Sequence, residues 1–208
     1  MKNSYQDMAK DLLYISDLDG TLLLPDGTFP KESKQRLNHL IDKGMKFTIA
    51  TARNYDSAYP ILKGLNLRLP VVLFNGVYLA NFHNGKILEH TQFIDKEVVD
   101  TMLALAQAQT IEPFIYTFGG EHQVYYRHVT NPGSIAYLAS LEKDKRVKQV
   151  PEFTFQKDEN VSGFLLIGTM KNLEPIYHRL KEKHFDHLNS YFAEDVSMKG
   201  YYWLQAFH

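Results

Sequence analysis

The chain has 208 residues, 44% hydrophobic and 23% charged, with 23 Lys and Arg against 24 Asp and Glu for a formal net charge of −1. That is the profile of a globular chain long enough to bury the core of one large domain or two small ones, and the charge balance offers no basis for a nucleic-acid or membrane partner. Cysteine is absent, which excludes disulfides, thiolate metal sites and cysteine nucleophiles together. The polar opening, MKNSYQDMAKD, lacks a signal-peptide core and no apolar run approaches a membrane span, so a soluble cytoplasmic protein is the expectation.

In chain order, LLYIS (12–16) predicts a buried strand. KESKQRLNHLIDKG (31–44) predicts a helix with Leu37, Leu40 and Ile41 on one face, Pro30 near its start and Gly44 at its end. KFTIA (46–50) predicts a second strand, TARNYDSAYPILKGLNL a loop and a helix interrupted by Pro60, and VVLFN (71–75) a third strand. Strand, helix, strand, helix, strand at this spacing argues for an α/β sheet with parallel neighbours. After residue 80 the pattern changes to α+β. Asn84-Gly85 marks a hairpin, DKEVVDTMLALAQAQ (95–109) a helix, and Gly119-Gly120 a second hairpin. A helix near 132–143, a strand at 163–170, a helix at 172–184 and strands near 188–193 and at 201–207 follow. The expected division is 1–81 and 82–208.

LYISDLDGT raises a question: why does a run of strand formers end in two carboxylates one residue apart? Ligand sites in open α/β sheets lie beyond the carboxyl ends of the strands. Asp17 and Asp19 lie just past one such end, Thr51 past the next and Asn75 past the third. The chemistry this convergence suits is phosphoryl transfer. One carboxylate can attack phosphorus and become an aspartyl-phosphate, and a second, across a tight turn, can move the proton. Both need a cation beside a dianionic phosphate, and magnesium favours such oxygen ligands. Gly20 lets amide N–H groups turn toward the phosphate, and Thr51 with Arg53 can hold its oxygens.

DLDGTLL resembles the first motif of the haloacid dehalogenase superfamily of phosphohydrolases. TAR (51–53), where the usual form is Thr-Gly-Arg, resembles the second, and NGV (75–77) is similar to the Asn-Gly-Ala element of the Cof-type branch, subclass IIB. The resemblance covers the whole chain. It implies a Rossmann-like core carrying an α+β cap, residues 82–208. It implies Asp17 as nucleophile, Asp19 as general acid/base, and phosphate or substrate binding by Gly20, Thr51, Ala52, Arg53, Asn75 and Gly76. A magnesium ion would be held by the Asp17 side chain and the Asp19 carbonyl, and the substrate would be a small phosphorylated metabolite, often a sugar phosphate.

The same resemblance implies a lysine opening a helix and an acidic Gly-Asp-x-x-Asn-Asp-like loop after the cap; neither occurs before the chain ends at YYWLQAFH. Lys199 is the one substitute, but a strand rather than a helix follows it. The expectation is a chain shortened relative to the family and impaired as a phosphatase. The strand bearing Asp17 would be left as an exposed apolar edge, which makes a homodimer a reasonable partner state. Ala52 in place of glycine would be strained if its φ were positive.

Other readings compete. DLDGT can be a plain turn, an Asp-x-Asp pair can hold a metal and nucleotide sugar in a glycosyltransferase, and Thr51 can be a helix N-cap. A phosphate-binding module or inactive remnant is the main alternative function, and a phospho-acceptor signalling domain would have no use for so large a second unit. His184 and His187 fit a helix end better than a metal site, and EKDKRVK (142–148) a solvated face. The aromatic-rich strands read as sheet packing, and NVS (160–162) as a sequon without meaning in a cytoplasmic chain.

Overall fold

A computed structural model describes residues 12–119, 122–142, 144–184, 188–195 and 198–208. The fold is mixed α/β and divides into two compact units, the first ending at Thr91 and the second running from Gln92 to His208.

The first unit begins β1 (Leu13–Ser16), α1 (Lys31–Asp42), β2 (Lys46–Ile49), α2 (Tyr55–Leu62) and β3 (Val71–Leu73). β1 runs parallel to β2, from the Leu13–Lys46 pair to the Ser16–Ile49 pair, and a parallel bridge from Ala50 to Val72 carries the order on to β3. β4 (Tyr78–Ala80) and β5 (Ile87–His90) then add antiparallel, joined across the predicted Asn84-Gly85 hairpin. α1 stops as its sequence demands. Gly44 takes φ +99°, its N–H bonds to the Ile41 carbonyl at 2.9 Å and that of Met45 to Leu40 at 3.0 Å, the paired reverse bonds of a Schellman ending.

Three expectations for this unit are corrected. β1 is a strand but is not buried: Leu12, Leu13, Tyr14 and Ile15 are 52, 53, 41 and 56% exposed, because among the described residues β2 flanks it on one edge alone. Pro60 does not interrupt α2. It lies in the last turn, and helical bonds stand on both sides of it, Ala58 N–H to Asn54 O at 3.0 Å and Lys63 N–H to Tyr59 O at 2.8 Å. Only the one bond a proline N–H would have made is forfeited. β3 ends at Leu73 rather than residue 75, because Phe74 and Asn75 turn into the left-handed region.

The second unit is α3 (Lys96–Ala108), β6 (Phe114–Phe118), β7 (Val124–Tyr126), α4 (Pro132–Ser140), β8 (Val147–Gln149), β9 (Asn160–Gly168), α5 (Met170–His184), β10 (Asn189–Glu194) and β11 (Tyr202–Phe207). Its six-stranded sheet has the order β10-β11-β9-β6-β7-β8, antiparallel except for β7–β8. Phe164, Leu166, Leu204 and Ala206 cluster with Met102 of α3 and with Leu173, Ile176 and Leu180 of α5 to make the core. Alternation sends their neighbours to the opposite face. There Tyr137 of α4 sits edge-on to Phe114 and to Trp203, with centroids 4.8 and 5.2 Å away. Its hydroxyl lies 2.7 Å from that of Tyr116. The Trp203 indole N–H donates to Asp195 Oδ2 at 2.9 Å. Gly163 is fixed by close approach, since a Cβ there would lie 2.4 Å from the Phe207 ring. β8 overlaps the end of the charged run read as a solvated face; Val147 to Gln149 pair with β7 as an edge strand. Lys143 of that run, Gly120 of the second hairpin and His187 lie outside the described residues.

Candidate active site

The turn after β1 is organised by its one apolar member. Leu18 is fully buried, and the chain alternates about it so that Asp17 and Asp19 are both exposed. The Leu18 carbonyl gathers the N–H groups of Thr21, Leu22 and Leu23 at 3.2, 3.0 and 3.0 Å, which closes the loop, and Gly20 permits it with φ +74°. Asp17 Oδ1 accepts the Leu18 N–H at 2.7 Å.

Thr51, at the end of β2, is buried and stitched to both neighbours. Its N–H donates to Val72 O at 3.1 Å and its carbonyl accepts from Asn75 N–H at 3.2 Å, while Phe74 N–H reaches Arg53 O at 2.9 Å. Ala50 N–H donates to Ser16 O at 2.9 Å one step before. The loops holding Asp17, Thr51 and Asn75, apart in sequence, thus meet at one end of adjacent strands. Thr51 is not the N-cap of α2. That place belongs to Asn54, whose side chain accepts the Ser57 N–H at 3.0 Å, while the Thr51 hydroxyl accepts the Arg53 N–H at 3.1 Å. Among the described residues, the non-glycine ones with left-handed φ are Phe74, Asn75, Thr110 and His122. Ala52 is absent from that set, so alanine stands in the place of glycine without backbone strain. Asn75 and Gly76, at φ +56° and +88°, are exposed at the tip of the third loop. The left-handed Phe74 is one feature the sequence did not announce, since a bulky aromatic has no preference for that region.

The other unannounced feature is electrostatic. Arg53 grips Asp19 with two bonds, Nε to Oδ2 at 2.8 Å and Nη2 to Oδ1 at 2.7 Å, across 34 positions of sequence. The guanidinium bonds hold the Asp19 carboxyl below the usual aspartate range, partly opposed by desolvation, and the carboxylate in turn pushes Arg53 up. A lowered folded value makes the contribution to stability present above the ordinary aspartate range and lost as pH falls through the lowered one. Arg53→Met is therefore expected to move the Asp19 titration upward, read as the carboxyl ¹³C shift against pH. The stability difference from the parent chain should be widest near neutrality and vanish in strong acid. With Asp19 about half exposed, that difference is small.

The donors available to a metal are the hard oxygens of Asp17 and Asp19. No group of three or more His, Asp or Glu side chains able to hold an ion occurs among the described residues. Two protein oxygens fit magnesium, which keeps several waters and is commonly bound through one or two carboxylates together with substrate phosphate. Lys199 is exposed in the turn between β10 and β11, and no described helix is long and apolar enough to cross a membrane.

The chain has relatives among known proteins and solved structures. The chain is 36% identical over 148 residues to the pyridoxal phosphate phosphatase YbhA of Escherichia coli, covering 66% of this chain and 48% of that protein. It is 25% identical over 124 residues to the 5-amino-6-(5-phospho-D-ribitylamino)uracil phosphatase YitU of Bacillus subtilis, covering 56% and 46%. The chain thus spans about half the length of these two curated relatives. The crystal structure of a haloacid dehalogenase-like hydrolase from Bacteroides thetaiotaomicron superposes with a TM-score of 0.71 at 18% identity, over 94% of this chain and 70% of that one, which speaks to the fold. The family model of the haloacid dehalogenase-like hydrolases matches residues 14–200, most of the sequence, and the chain belongs to that family.

Proposed function

We propose that this chain hydrolyses small phosphate monoesters through a phosphorylated Asp17. The observation that carries the reading is the meeting of Asp17, Asp19 and Arg53, Thr51 and Asn75 at the ends of three adjacent strands. An Asp17 carboxylate oxygen attacks phosphorus, the ester P–O bond breaks, and Asp19 gives its proton to the leaving alkoxide. Water then attacks the same phosphorus, yields its proton to Asp19, and the bond to Asp17 breaks to release inorganic phosphate. Arg53 keeps Asp19 in its basic form, which suits the second half. A bound phosphate offers Arg53 a second anionic partner and so frees Asp19 to carry the proton in the first. Thr51, the exposed side chain of Asn75 and the N–H of Gly76 orient the non-bridging oxygens. The Asp17 carboxylate and the Asp19 carbonyl would hold magnesium, which when bound neutralises phosphate charge.

The relatives named for pyridoxal phosphate and for a phosphoribitylamino uracil support a small phosphorylated metabolite as substrate class. In this reading residues 1–81 supply the chemistry and 82–208 select the ester. One observation favours a second reading, a non-catalytic phosphate-binding module: among the described residues the site holds two carboxylates, one of them gripped by Arg53, and no group of three that could hold a metal ion. The test is release of phosphate from an aryl phosphate by the 208-residue chain with magnesium and with excess chelator, beside calorimetry of inorganic phosphate binding. Magnesium-dependent turnover supports the enzyme. Binding without turnover selects the module, and neither result sinks both.

A further inference from the structure

We propose that Phe74 is a positioning residue for Arg53: its left-handed backbone lets the third loop hold the Arg53 carbonyl and so aims the guanidinium at Asp19. Phe74, Asn75 and Gly76 follow one another at φ +54°, +56° and +88°. L-residues enter that region singly, and Gly, Asn and Asp are the ones that do so routinely. A bulky aromatic there is an outlier. Asn75 and Gly76 are therefore ordinary occupants and Phe74 is the costly one. Such a conformation persists only where its surroundings impose it.

The hydrogen bonds show what imposes it. Thr51 N–H donates to Val72 O at 3.1 Å, as in a parallel ladder. Continued regularly, that ladder would give the Thr51 carbonyl the N–H of Phe74, two residues beyond Val72. Instead the Thr51 carbonyl takes Asn75 N–H at 3.2 Å, and Phe74 N–H moves on to Arg53 O at 2.9 Å. Phe74 is thus an inserted residue, in the manner of a bulge, and its left-handed turn carries the N–H past Thr51 to Arg53. The other fastenings of the Arg53 loop need no unusual backbone. Arg53 N–H lies on the Thr51 hydroxyl at 3.1 Å, the Asn54 side chain accepts Ser57 N–H at 3.0 Å, and Tyr55 N–H donates to the Tyr78 hydroxyl at 3.0 Å. With its own N–H and carbonyl both held, Arg53 lays Nε and Nη2 on the Asp19 carboxylate at 2.8 and 2.7 Å. Releasing the carbonyl would let the Arg53 backbone pivot, and a small pivot is magnified at the end of so long a side chain, beyond what two aligned bonds tolerate.

The test follows the Arg53 Nε–H in ¹⁵N spectra of the 208-residue chain, where Arg53→Met identifies the signal by its absence. Exchange of that proton with water gauges its bond to Asp19. Phe74→Asn, Phe74→Ala and Phe74→Val all remove the ring, but Asn enters the left-handed region readily and a β-branched residue resists it most. Phe74→Asn is expected to keep the slow exchange of the parent chain. Phe74→Val should exchange roughly tenfold faster or more, the scale of the left-handed penalty, with Phe74→Ala between them. Amide signals of β1 and β2 report whether the first unit stays folded. Should Phe74→Val not fold, Phe74→Asn against Phe74→Ala makes the same comparison. Equal exchange in Phe74→Asn and Phe74→Ala, or fast exchange in Phe74→Asn, which would put the effect in the ring, would each overturn the proposal. Its catalytic consequence rests on the hydrolysis proposed above: the KM for an aryl phosphate should rise in Phe74→Val and stay near that of the parent in Phe74→Asn. The exchange order needs no turnover, so a chain that binds phosphate without hydrolysing it would sink the enzymatic reading and still decide this one.

Discussion

Replacing Asp17 with Asn should lower phosphate release by about 10⁴-fold or more, the scale seen when a nucleophile that works in concert with its partners is removed. The substitution keeps the shape of the side chain and the acceptor that takes the Leu18 N–H at 2.7 Å, so the turn around Leu18 is preserved. What it removes is the anionic oxygen able to bond to phosphorus. The measurement is steady-state turnover of an aryl phosphate, with thermal unfolding followed alongside to confirm that the fold is unchanged. If Asp17→Asn keeps a tenth of the parent's activity, covalent catalysis at this residue is wrong. Direct attack by water, activated by Asp19, would then be the better account.

The largest stability effect is expected in the other unit. Phe164 is fully buried on the central strand β9, within the core formed with α3 and α5. Phe164→Ala removes the ring's transfer free energy and leaves a cavity that a sheet held on both edges of the strand cannot close, a loss of about 3–5 kcal/mol. Against a total of about 5–15 kcal/mol for an ordinary domain, such a loss brings the second unit close to unfolding. Urea titration followed by far-ultraviolet circular dichroism should show the midpoint fall sharply. A shift below about 1 kcal/mol would mean that the core relaxes around the gap, contrary to the close packing of interiors.

How much of this was legible in the sequence depends on the kind of signal. Asp17, Thr51 and Asn75 could be placed together because each follows a short apolar run, and period-two strands in a parallel α/β order put their carboxyl ends on one side. The alternation that exposes both aspartates was equally readable, since Leu18 between them has only the core to enter. The grip of Arg53 on Asp19 was not, because nothing local records a contact between side chains 34 positions apart. The exposure of β1 was misread for a related reason. LLYIS has the same pattern whether it lies inside a sheet or at its edge, and neighbours, not composition, decide which. β8 was hidden by charge: a run of lysines and an arginine reads as surface, and an edge strand with one inward valine is surface for most of its atoms. α2 passing through Pro60 shows the opposite limit, a local rule outweighed by a helix that ends two residues later.

The position of Trp203 has an optical consequence. It is the sole tryptophan of the chain, and it sits on β11 with its ring against Tyr137 and its N–H on Asp195. Intrinsic emission is therefore a gauge of the aromatic face of residues 92–208 alone. Excitation at the red edge of indole absorption would follow that face free of the tyrosines, while the unit holding Asp17 is spectrally dark. A single tryptophan placed at the exposed Leu88 would light the first unit, and the two chromophores together would time the melting of each half of the chain separately.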